Sequence, residues 1–407
     1  MLRFSRLAMR AALAAIAGGS PGYVPSDAAF AGDKSLVPTV IKTIPIPSPK
    51  AGSLQVAINE TTNRVYIGNI GDGTVTVIDG KTDEIIDTIT IPPSPLTGVY
   101  LGGPGSIAIN ETTNTLYVLT QLGTIAVVDG NTDEVVNYAV IDSNKTGFEG
   151  FFTPAIQQSQ KNGKLYVSNA DVEIDVIDPK TLTVLKRIPF PWAYYIIMNQ
   201  TTNTLYAPAH WDDTVLVIDG DTDTVKGYIK GVGVPPSPPG CNPGVSGSCT
   251  SIGSENDWAD VDEGLDRLYV ASESYGLFIA IDTAKNSVIK TLNLPNAFAP
   301  YADSTNQAVY ITAPASGTLD VVDEKTLDLV GYDIQIGPTC PPPYVGCPYW
   351  FAPGGIQFDS FPQGVKVNET TGKIYVADFG WEAWEPFLPI PTAGPSQIVV
   401  LQIPQKK

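Results

Sequence analysis

Leu54 to Pro92 reads LQVAINETTNRVYIGNIGDGTVTVIDGKTDEIIDTITIP. Four short runs alternate apolar and polar residues, the signature of half-buried strands. Between them stand Asn-Glu-Thr-Thr-Asn, Gly-Asp-Gly and Asp-Gly-Lys-Thr, whose side chains and glycines serve tight turns. The same pattern restarts at Ser106, Gln157, Ile196, Asp260, Tyr301 and Gly364. Self-similarity at this spacing, with four strands per copy, predicts the blades of a β-propeller.

One tyrosine marks the second run of each copy: Tyr66, Tyr117, Tyr166, Tyr206, Tyr269, Tyr310 and Tyr375. The third run ends in Asp79, Asp129, Asp178, Asp219, Asp282 and Asp323 in six copies. The seventh copy, finishing with Gln397 to Ile403, lacks a fourth run. Thr39 to Pro47 (TVIKTIPIP) resembles only that missing element, as comparison with Glu84 to Pro92 (EIIDTITIP) makes plain. The expected fold is therefore all-β: a seven-bladed propeller of four-stranded blades with 1+3 closure. The N-terminal strand completes the last blade and removes an exposed edge.

The frames Asp72 to Asp79 (DGTVTVID), Leu205-Tyr206 and Asp213 to Asp219 (DTVLVID) resemble the YVTN-type β-propeller repeat. The resemblance extends from Val40 to Pro404. It implies a bacterial or archaeal surface or periplasmic protein. The wider group contains lactonases, a lyase and many binding proteins, so no catalytic residue is carried over from it.

The first residues read differently. Met1 to Arg10 holds three arginines, Ala11 to Ala17 is apolar, and Ala29-Phe30-Ala31 offers small residues at a cleavage site. This predicts a secretory signal peptide over residues 1–31, followed by one propeller domain over 32–407. A periplasmic or secreted location follows. A net charge of −18 repels nucleic acid and anionic lipid. Oxidising surroundings favour two local disulfides, Cys241–Cys249 and Cys340–Cys347; the alternative is a four-thiolate zinc site.

The elongated connections, Pro92–Gly105, Asp142–Ile156, Gly231–Ala259, Gly337–Gln363 and Phe379–Ser396, all fall where a propeller places them on one face. They carry Trp258, Trp350, Trp381 and Trp384, with Asp257, Asp359 and Glu382 among them, and the shorter connection between the second and third runs of the fourth copy adds Trp211 and Asp212 to the same face. An aromatic, acidic top face suits a cationic or sugar-like small molecule, or a protein partner. The other reading is that these rings cap the channel mouth as a secondary core. His210 is the sole histidine, so a multi-histidine metal site is excluded, and no D-x-D-x-D-G calcium loop appears. No nucleotide loop, G-x-S-x-G elbow or C-x-x-C-H haem motif is present, and no cofactor is expected. Sequons at Asn59, Asn110, Asn199 and Asn368 occupy one repeat position and read as turn chemistry. Two functions stand side by side: a binding propeller, or a lyase- or lactonase-type enzyme with His210 as general base. A third is the propeller subunit of a periplasmic redox enzyme.

Overall fold

The alternation in Leu54–Pro92 becomes four antiparallel strands, Ser53–Asn59, Arg64–Asn69, Thr74–Asp79 and Glu84–Thr90, paired in chain order. The computed structural model describes residues 34–48, 51–92, 103–120, 123–141, 155–169, 173–190, 193–210, 212–232, 258–272, 275–336, 362–379, 382–383, 392–393 and 396–404. That four-stranded sheet is blade 1, and five further sheets repeat its arrangement in chain order. The seventh is ordered Thr39–Pro45, Gln397–Gln402, Lys373–Asp378, Pro362–Asn368. Each innermost strand contacts that of the next blade, and the last contacts the first. The chain is a closed seven-bladed β-propeller.

The closing strand copies the element it replaces. Thr39–Pro45 pairs with Gln397–Gln402 from Thr39↔Gln402 to Pro45↔Gln397. Its burial pattern leaves one residue, Ile44, facing inward, as Ile89 does in blade 1. Even the irregularity recurs. The third and fourth strands slip register beside Ile78, Val128, Ile177, Ile218, Ile281 and Val322, and the closing strand slips beside Lys42. A bulge at one position in every blade adds twist to each outer edge.

Turn chemistry repeats as strictly. At the end of each first strand one side chain accepts the N–H three residues on. The acceptors are Asn59, Asn110, Ser159, Asn199, Asp262, Asp303 and Asn368. The last turn residue takes positive φ, between 50° at Asn203 and 79° at Gly163; it is Asn or Gly, which tolerate it, in five blades and Asp266 or Gln307 in the other two. Four sequons thus cap turns.

The signature tyrosines explain how blades join. All seven rings are buried, five of them completely. Each reaches toward the next blade. Tyr166 Oη donates to Gly220 O (2.9 Å) and Asp223 Oδ1 (2.7 Å). Tyr375 Oη donates to Asp83 Oδ1 at 2.6 Å, across the closing seam. Two residues earlier, a base aims at the same turn: Arg64 at Asp133 (2.8 Å), Lys164 at Asp223 (2.6 Å) and Lys373 at Asp83 (2.7 Å). Where blade 2 has Thr115 instead of a base, the turn of blade 3 carries Leu182. It packs in one apolar cluster with Tyr117. Base with acid and Thr with Leu each leave no buried charge alone, while Arg267, opposite Leu327, donates instead to the Glu324 carbonyl.

A second latch runs along the tight-turn rim. Glu60 of blade 1 accepts from Glu369 N (2.8 Å), Thr370 N (3.1 Å) and Thr370 Oγ1 (2.8 Å) of blade 7. Glu111 accepts from Glu60 N and Thr61 Oγ1, and Glu263 from Gln200 N and Thr201 N. The repeat position reads Glu60, Glu111, Gln160, Gln200, Glu263, Ser304, Glu369. Blade 6 alone places a short side chain there.

Candidate functional site

First strands enter from the long connections and run to the tight turns, so alternate residues line the channel from one face to the other. In blade 5 that series is Trp258, Asp260 and Asp262. Trp258 lies at the long-connection end, its ring 4.7 Å from Tyr195 and 5.4 Å from Phe298. Tyr195 is buried, and its phenol lies beside Gln55 of blade 1, across the channel. Burial, then the Asp260 charge, pushes that phenol up. An aromatic layer thus separates the long-connection side from what lies below.

Below it, the residue paired with each signature tyrosine decides the channel chemistry. The series runs Ala57, Ala108, Gln157, Ile197, Asp260, Tyr301 and Lys366. Three adjacent blades therefore bring a carboxylate, a phenol and an ammonium to one level, while blades 1 and 2 leave space. Lys366 Nζ stands 3.7 Å from Asp260 Oδ1 and 4.2 Å over the Tyr301 ring. Asp260 Oδ2 accepts Ala302 N at 2.9 Å. Burial raises the Asp260 carboxyl against the pull of Lys366. It raises the Tyr301 phenol well above its ordinary value, with Asp260 adding to it.

These side chains border a cavity of about 350 Å³. It extends to the tight-turn rim, where Asp262, Glu263, Ser304 and Glu369 line it. It lies where the latch position carries Ser304. Behind the lining sit Asp303 and Glu324, both buried. Burial, with Asp262 beside it, pushes the Glu324 carboxyl up to about 8. Asp303 and Glu369 are raised too, mainly by burial. Burial thus favours the protonated form of these acids, Glu324 above all, behind a lining in which Lys366 is the one cation.

Of the residues expected on the long-connection face, the structure describes few. His210 is 1% exposed, and its ring stands edge-on to Tyr194 at 4.5 Å. Asp212 follows it and accepts Asp213 N at 2.7 Å; burial raises its carboxyl. Trp258 is partly buried against the core of blades 4 and 5. Glu382 belongs to a two-residue strand paired with Thr392–Ala393, and only its backbone is described. Trp211, Asp257, Trp350, Asp359, Trp381 and Trp384 lie outside the described residues, as do Cys241, Cys249, Cys340, Cys347 and residues 1–33. His210 and Asp212 belong to the connection between the second and third strands of blade 4. The constellation of Asp260, Tyr301 and Lys366 escaped the sequence reading. Its signal was the single column opposite the signature tyrosine, in which charge appears only in copies five and seven.

Among the described residues no three His, Cys, Asp or Glu side chains form a group that could hold a metal ion. No helix among them is long and apolar enough to cross a membrane. No family model matches the chain, and no curated protein matches it.

Proposed function

We propose that this chain is an exported binding propeller of the YVTN type that holds a small ligand in its central channel. The observation that carries this reading is the level formed by Asp260, Tyr301 and Lys366 beside a cavity of about 350 Å³. Small-molecule sites are concave and place a few polar groups against an otherwise closed wall. Rigid seams at every blade supply the preorganisation that binding requires. His210, buried against Tyr194, favours binding over general-base chemistry.

Export rests on the arginine-rich start, the apolar Ala11–Ala17 run and the Ala29-Phe30-Ala31 site, which divide the chain into a leader over 1–31 and one domain over 32–407. The tryptophan-bearing long connections would form the other mouth of the same channel, an aromatic and acidic surface for a carbohydrate or protein partner.

The test has two arms. Mass spectrometry of the chain expressed in a bacterium should find the mature N-terminus at Gly32, in the periplasm or medium. A thermal-shift panel of sugars, polyamines, lactones and calcium on the mature protein should give a saturable shift with one class. An uncleaved cytoplasmic product sinks the export reading. The absence of any saturable shift sinks the channel reading.

A further inference from the structure

We infer that the channel cavity takes a neutral polyhydroxylated ring, a monosaccharide or cyclitol, held through adjacent hydroxyls by Lys366, Tyr301 and Asp260; this rests on the binding reading above. The carrying observation is a pair of donors that the protein leaves unused. Tyr301 and Lys366 line the cavity, and neither Tyr301 Oη nor Lys366 Nζ makes a hydrogen bond to the described residues. Lys161, Lys164, Lys285, Lys290 and Lys373 each stand 2.6–2.8 Å from a carboxylate oxygen. Lys366 Nζ instead stands 3.7 Å from Asp260 Oδ1, beyond hydrogen-bond reach. An oxygen set between them must accept from the ammonium and donate to the carboxylate. A hydroxyl does both, whereas a carboxylate only accepts and an ammonium only donates.

The surrounding charges disfavour ionic ligands. The other acids of the lining are already engaged. Glu263 accepts Gln200 N at 2.6 Å and Thr201 N at 2.9 Å. Asp262 accepts Leu265 N at 2.8 Å and faces the Glu324 carboxyl, and Glu369 accepts Thr305 Oγ1 at 3.3 Å. An added cation would meet Lys366, and an added anion would meet Asp260 and Glu369. A neutral ligand avoids both. Burial first, then the Asp260 charge, keeps the Tyr301 phenol protonated and so a donor. Ile197 and Met198 form an apolar wall on the side of blade 4, against which the C–H face of a ring can lie while its hydroxyls meet blades 5 to 7. The cavity of about 350 Å³ lies near the small end of ligand sites, which run from about 300 to 1,000 Å³, and suits one ring better than a long chain.

The test is saturation-transfer NMR and thermal shift on the mature chain. Glucose, galactose, mannose and myo-inositol are the probes. Glucosamine and glucuronate carry a similar ring with an added charge, and cyclohexanol offers a single hydroxyl. Tyr301→Phe removes only Oη, which bonds nothing in the fold, so its Tm should match that of the parent chain. Tyr138→Phe makes the same change on an outer-strand ring that is 54% exposed. Lys366→Met combined with Asp260→Asn removes the polar pair without leaving a buried charge alone. The expected result is saturable binding of at least one neutral probe, with weaker binding of both charged rings and none of cyclohexanol. That binding should weaken about tenfold in Tyr301→Phe and in the double variant and stay unchanged in Tyr138→Phe. Equal binding of a charged ring or of cyclohexanol, full binding in Tyr301→Phe, or equal weakening in Tyr138→Phe overturns the inference. A saturable shift with a lactone, a polyamine or calcium, and none with a neutral ring, overturns it while leaving the channel reading intact. Silence from every class overturns both.

Discussion

Asp83 is where the ring closes, and its replacement measures what closure is worth. Lys373 Nζ donates to Asp83 Oδ2 at 2.7 Å and Oδ1 at 2.8 Å, and Tyr375 Oη donates to Oδ1 at 2.6 Å. The ion-pair side chains are 13% and 9% exposed, so water cannot take over. Lys42 of the N-terminal strand donates to the Asp83 carbonyl at 2.6 Å. Asp83→Asn keeps a residue that tolerates the observed φ of 57° and removes only the charge. A buried ammonium left without its counterion costs about 3–5 kcal/mol. Unfolding entropy of about 2.1 cal/mol/K per residue gives roughly 0.8 kcal/mol/K for a ring of this size, so Tm should fall by about 4–6 °C. Differential scanning calorimetry at pH 7 reads it directly. Lys161→Ala is the control, because the Lys161–Asp221 pair is 56% and 48% exposed and should cost under about 1 kcal/mol. Adding Lys373→Met to Asp83→Asn should recover part of the loss. A Tm for Asp83→Asn no lower than that of Lys161→Ala would refute the view that buried clasps hold the seam.

Four further outcomes are expected. Glu324 has its folded-state pKa raised to about 8, so the folded state binds the extra proton and stability is fully present below the unfolded value near 4.5. Denaturant titrations should therefore show stability falling by up to about 1.4 kcal/mol per pH unit as pH rises toward 8, a slope that Glu324→Gln flattens. Glu60→Ala removes three hydrogen bonds to the blade 7 turn but leaves their donors exposed, so urea unfolding should register a loss of only about 1–2 kcal/mol. Tyr166→Phe should cost about 1–2 kcal/mol by the same measurement, since Lys164 still pairs Asp223. Deleting residues through Pro45 uncovers the edge of Gln397–Gln402, and gel filtration should then show larger species than the intact chain gives.

The fold was legible because each turn and strand obeys local chemistry repeated seven times. The spare strand Thr39–Pro47 could be matched to its gap from pattern alone, since Ile44 and Ile89 occupy the same buried place. The clasp was only half legible. The tyrosines stood out, but the tie between Lys373 and Asp83 joins residues from opposite ends of the chain, and no local rule links them. The candidate site was the hardest to see. Asp260 and Lys366 sit inside strands whose neighbours at that position are Ala57, Ala108 and Ile197, and a lone charge in a repeat reads as variation. Only a closed ring brings blades 5 and 7 to either side of Tyr301. The tryptophans of the long connections are conspicuous in composition, but their placement depends on contacts that sequence does not encode locally.

The 1+3 closure also has a mechanical reading. Thr39 lies opposite Gln402, and the segment before it is tied to blade 6, where Leu36 is buried and its carbonyl accepts from Tyr310 Oη. Tension between the two ends first peels Lys34–Leu36 from blade 6; it then loads the Thr39–Gln402 rung, and the rungs part in turn toward Pro45 and Gln397, as a zipper opens. Outward pressure from within the channel meets different resistance, because it must stretch all the rungs of a seam together. A ring built this way yields readily when pulled by its ends and hardly at all when pushed from inside.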